Sequence, residues 1–123
     1  MVNRFDVAAL TEGLASLRAK GGASRCLAVV VPLADGMHEV VREYLGEGPP
    51  FDPAAVGLTH HQVLVTDREA VFLFESDKGI EALERILADP EFWDVVSAWE
   101  HAAAGPPRLA DELYCWPERK RGT

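Results

Sequence analysis

The 123-residue chain is 48% hydrophobic and 26% charged, and its 12 Lys and Arg against 20 Asp and Glu leave a net charge of −8. One domain of this size buries roughly two thirds of the surface its unfolded chain exposes, enough for a core without disulfides or metals. The acidic balance argues against partners bound by counterion release, nucleic acid or an anionic membrane; the longest apolar run, residues 26–34, is half the ~18 needed to span a bilayer, and no leader pattern opens the chain, so a cytoplasmic protein is expected.

Residues 1–22 predict an added N-terminal helix, with Leu10, Leu14 and Leu17 at helical spacing, Asp6 as a cap and Gly21-Gly22 as a stop. Its thin stripe suits a helix on the surface of the main domain or against a second subunit. The main domain is expected over residues 23–117, followed by a flexible tail, 118–123. It opens with residues 26–33, an apolar run without alternation, the pattern of a strand covered on both faces. Asp35 is a candidate cap for the next helix, whose stripe is Met37, Val40, Val41, Tyr44 and Leu45. Gly46 and Gly48 end it. Residues 47–57 carry three prolines and predict a loop, with one short turn begun by Asp52 and Pro53.

Strands at 58–66 and 70–75, joined around Asp67-Arg68, predict a β-hairpin. Asp77 then stands as cap to a helix with Ile80, Leu83 and Leu87 on one face. Asp89-Pro90 restarts it, with Phe92, Val95, Val96, Trp99 and Ala103 as the next stripe, until Gly105-Pro106-Pro107. A last strand is expected at 109–116. After the leading helix the order is strand, helix, strand, strand, helix, strand, the split βαβ pattern of an α+β, ferredoxin-like fold. Right-handed crossovers place the antiparallel strands in the order 4-1-3-2 with both helices on one face. The other face is left open, and a strand as apolar as the first makes a second subunit the expected cover.

The element order, the run Val71-Phe72-Leu73-Phe74-Glu75 before a helix, and the segment Ala88-Asp89-Pro90-Glu91-Phe92-Trp93 make residues 24–117 similar to the dimeric α/β-barrel superfamily. Its antibiotic-biosynthesis monooxygenase-like members have a similar strand ending in Glu, usually with a His in the following helix, where this chain has only His101. Its rhamnose mutarotase-like members carry a His early in the first helix and an Asp-Pro before Trp in the second, which His38 and Asp89-Pro90 match loosely. The resemblance implies a homodimer whose sheets pack face to face, and either a cofactor-independent monooxygenase or an isomerase of the mutarotase kind.

If Thr66 pairs with Glu69, His60 falls opposite Glu75, Gln62 opposite Leu73 and Leu64 opposite Val71. The other face of the hairpin then holds His61, Phe74, Val63, Phe72 and Val65, the more apolar set, under the helices. His60 and Glu75 become a candidate pair for proton transfer. Gln62, Leu64, Val71 and Leu73 become ligand contacts, with Trp93, Trp116 and His38 as further candidates. A one-residue slip would exchange His60 for His61. No metal site is expected, because adjacent strand residues such as His60 and His61 face opposite ways, and no motif implies a cofactor. Cys26 and Cys115, without a CxxC, read as free thiols. The expected partners are a second copy of the chain and a small organic ligand, and a non-catalytic dimerisation module is the alternative to an enzyme.

Overall fold

Four strands and three helices are laid out along a computed structural model that describes residues 7–19, 25–46, 48, 52–89, 101–112 and 116. In chain order they are α1 (Val7–Ala19), β1 (Cys26–Pro32), α2 (His38–Leu45), β2 (His60–Val65), β3 (Glu69–Glu75), α3 (Ile80–Ala88) and β4 (Arg108–Asp111). The strands form one antiparallel sheet in the order β2-β3-β1-β4. Counted from the β4 edge, the neighbours run 4-1-3-2. The β-branched and aromatic residues of β1 and β3, which fit a pleated, largely covered surface, occupy the two central positions.

The hairpin turn sets the register of the sheet. Thr66 N–H donates to Glu69 O at 2.8 Å, while the Thr66 hydroxyl oxygen accepts from the backbone N–H groups of Arg68 and Glu69. A side chain that satisfies turn donors in this way pins the loop, and every pair of the hairpin follows from it, ending at His60↔Glu75.

The core lies on one face of the sheet. Leu27, Val29 and Val31 of β1 and Ala70 and Phe74 of β3 are buried against Val41 of α2 and Ile80, Ala82, Leu83 and Ile86 of α3. Helix α1 joins the same side through Leu10 and Leu14, packing on α3 and β4. The backbone at Gly13 comes close to the side chain of Leu109, and Arg18 pairs with Glu84 of α3. α1 therefore does not cover the open face of the sheet. Among the described residues, that face carries no helix.

Several expectations are corrected. β1 alternates, with Cys26, Ala28, Val30 and Pro32 only half-buried, because the chain itself covers one of its two faces. Asp35 does not cap α2: Met37 holds the N-cap position without a side-chain bond, since the turn at Gly36, φ +79°, separates Asp35 from the helix. Of the α2 stripe, Met37, Val41 and Leu45 pack on the core, while Val40 and Tyr44 remain exposed, because the helix is short and rests on one edge of its stripe. Asp77 does not cap α3. Its carboxylate pairs with Arg25 at 3.2 Å, and Gly79, at φ +58° and ψ −127°, stands at the N-cap.

The second apolar stripe, Phe92 to Trp99, lies outside the described residues, as do the caps Asp6 and Gly21-Gly22, the tail 118–123 and Cys115. Where the chain is described again it is not helical: His101 and Ala102 form a turn and Ala103 bridges to Leu33. Ala103, the last residue of the predicted stripe, is thus buried by a strand-like contact. β4 is Arg108–Asp111, beginning one residue before the expected 109–116 and pairing with β1 from Arg108↔Val30 to Asp111↔Leu27; residues 113–115 of the expected strand lie outside the described residues. The short turn expected in the loop is present at 53–57, where Ala54 N–H donates to Asp52 Oδ1 at 3.1 Å.

Candidate functional site

Alternation along each strand assigns every side chain of the sheet to one face. The open face carries Cys26, Ala28, Val30 and Pro32 from β1, His60, Gln62 and Leu64 from β2, Glu69, Val71, Leu73 and Glu75 from β3, and Arg108 and Ala110 from β4. Its middle is an apolar band in which Leu64 is 47% exposed. The band runs through Val71 and Leu73 to Val30 and Ala28.

Polar groups stand at both ends of the band. At one end His60 and Glu75 are register partners, and His60 Nε2–H donates to Gln62 Oε1 at 3.1 Å. The imidazole is thus oriented by its own strand, with Glu75 one strand away. Glu75 in turn is flanked by Cys26 of β1. At the opposite end, Arg108 donates to Glu69 Oε2 at 2.9 Å. These two charged residues were not singled out in the sequence, because an Arg just after Pro106-Pro107 and a Glu just after a turn read as solvated strand ends. The strand order, combined with alternation, would have placed both on this face.

Of the sequence candidates, the structure brings His60, Gln62, Leu64, Val71, Leu73 and Glu75 together on the open face. His38 stands apart from them. It begins α2, on the other side of the sheet, where its Nδ1–H donates to Thr66 O at 3.0 Å and its Nε2 accepts from Arg42 Nε–H at 3.2 Å. The first bond holds α2 to the hairpin turn and the second lies within α2, so both ring nitrogens are engaged in a positional role. Trp116 lies at a bend past β4 and is 86% exposed. Trp93 lies outside the described residues.

His61 faces the core, as the register requires. Its ring stacks on Phe74 with centroids 4.8 Å apart, and Nδ1–H donates to Leu73 O at 3.0 Å. Burial lowers its pKa below the ordinary histidine value; the adjacent His60 adds to this and the Leu73 bond works against it. His61 is thereby a neutral packing residue, and His60 is the one that meets solvent.

Among the described residues, no three His, Cys, Asp or Glu side chains gather closely enough to hold a metal ion, and no helix is long and apolar enough to cross a membrane. The chain matches no protein-family model, no curated protein and no solved structure.

Proposed function

We propose that the protein is a homodimer of the dimeric α/β-barrel kind, cytoplasmic, whose two open sheet faces enclose a small organic molecule. The observation that carries this reading is the open face itself. An apolar band of Ala28, Val30, Leu64, Val71 and Leu73 lies between two polar ends, the arrangement of an apolar centre and polar rim found in interfaces and ligand clefts. The apolar residues bind the body of the ligand, and His60, Gln62 and Glu75 orient its polar group. Anionic partners are disfavoured by a net charge of −8, which repels nucleic acid.

The pairing of His60 with Glu75 favours one further reading, a cofactor-independent monooxygenase or isomerase in which the two groups move a proton at an activated carbon of the ligand. Light scattering after size exclusion tests the first reading, with a mass of twice 13.5 kDa expected. A concentration-independent monomer overturns it. For the dimer, a small-molecule screen by thermal shift on wild type and His60→Ala tests the ligand site. A hit that stabilises both proteins equally removes His60 from it. Turnover of such a hit by wild type, lost in His60→Ala and Glu75→Gln at unchanged thermal midpoint, supports catalysis; binding without turnover leaves a binding module.

A further inference from the structure

Arg108 is the one Lys or Arg among the described residues of the open face. Its bond to Glu69 Oε2 carries the guanidinium from β4 across the intervening β1 toward β3, so the charge lies over the Val30–Pro32 end of the apolar band. That bond takes one of the five N–H donors in the arginine fork. The two side chains of the pair are 67% and 39% exposed, and water satisfies the remaining donors. Enclosing the face removes that water. A guanidinium shut away with donors unmade costs their desolvation, and the group that best fills an edge of the fork is a carboxylate, through two parallel bonds.

Resting on the reading that two open faces enclose a small molecule, we infer that this molecule is an organic acid whose carboxylate is held by Arg108. Its apolar body lies along Val30, Val71, Leu73 and Leu64, and an uncharged oxygen at its far end meets Gln62. His60 Nε2–H already donates to Gln62 Oε1, which leaves the amide N–H groups of Gln62 to donate to a hydroxyl or carbonyl of the ligand. The spacing of the two ends sets the length. Glu69 and Leu73, the register partner of Gln62, stand four residues and so roughly 13 Å apart along β3, a distance for a medium-chain acid. Glu69 acts as the chain's own stand-in for the ligand: it occupies part of the fork when no acid is bound, and the acid competes with it.

The test is titration calorimetry with a matched pair of probes, 10-hydroxydecanoate and its amide 10-hydroxydecanamide, at about pH 8, above the ordinary imidazole range, so that a preference for the acid reads the guanidinium. Light scattering first establishes the mass of wild type and variants, and circular dichroism their folding. Wild type is expected to bind the acid at least about tenfold more tightly than the amide. Arg108→Gln should lose that preference and keep its affinity for the amide. Glu69→Gln should bind the acid more tightly than wild type, because the competing carboxylate is gone; if Arg108 served only to tie β4 to β3, no gain would follow, and its absence overturns the competition. A wild-type dimer that binds acid and amide equally overturns the carboxylate assignment and leaves the enclosed ligand site standing. A dimer that binds neither overturns this ligand class, and a preference that survives Arg108→Gln overturns the role of Arg108. A concentration-independent monomer overturns the homodimer reading and this inference with it. Should Arg108→Gln fail to fold, Arg108→Lys takes its place: keeping the charge without the fork, it should reduce the acid preference, and an undiminished one overturns the two-bond contact.

Discussion

His61 is the residue whose burial the pH dependence of stability should report. Its ring is half-buried against Phe74 and its pKa is lowered, first by that burial. In the unfolded chain the imidazole takes up a proton near pH 6.5, and in the folded chain only at a lower pH. The unfolded state thus binds more protons between the two values, so His61 contributes stability above about pH 6.5 that is lost as pH falls toward the folded pKa. The thermal midpoint of wild type is expected to decline over that window, and His61→Phe, which keeps the stacking, should flatten the decline. An unchanged slope in a pH-scanned melt would remove His61 as its source. The same residue shows what was legible at this scale. The pairing of His60 with Glu75 follows from alternation once Thr66 pairs with Glu69, whereas the Thr66 bond that occupies His38 Nδ1 depends on how α2 meets the hairpin, which no local pattern encodes.

At the scale of the element, the beginning of α3 is set by backbone conformation more than by capping chemistry. Gly79, at φ +58° and ψ −127°, adopts angles that cost an L side chain strain. Just before it, buried Ser76 donates its hydroxyl to Gly57 O at 2.6 Å and accepts from Lys78 N–H at 3.0 Å. This fastens the 53–57 turn to the start of the helix. Gly79→Ala should destabilise the fold by about 1–3 kcal/mol, and Ser76→Ala by about 1–3 kcal/mol through its buried partners, both read as a lower urea midpoint. A Gly79→Ala midpoint equal to wild type would show that the turn relaxes without cost. Asp77 looked like the cap because its residue type and position fit one. Arg25, fifty-two positions earlier in the chain and brought alongside by the β1–β3 pairing, takes its carboxylate instead. Element type was legible from period and turn residues, and the ends were not, because long-range partners compete for the same polar groups.

The two faces of the sheet should respond differently to a buried charge. Val31 and Val71 are β-branched neighbours on the two central strands, but Val31 is fully buried under the helices and Val71 is on the open face beside Leu64. Val31→Lys is expected to unfold the chain, since an unpaired ammonium has no place in that core. Val71→Lys should leave the circular dichroism spectrum intact and lower the mass seen by light scattering. Unfolding by Val71→Lys would mean that this face is part of the chain's own core. By itself the sequence determined the α+β class and the strand order, because the period of two and the handedness of crossovers are local or nearly local constraints; it left the hairpin register open between His60 and His61, and the structure decided it. Only the tertiary structure decided that α1 packs with α3 and β4 on the core side, that His38 is tied to Thr66, and that Arg108 and Glu69 join His60 and Glu75 on one face. Those contacts join residues far apart in the chain, whose meeting depends on how whole elements pack.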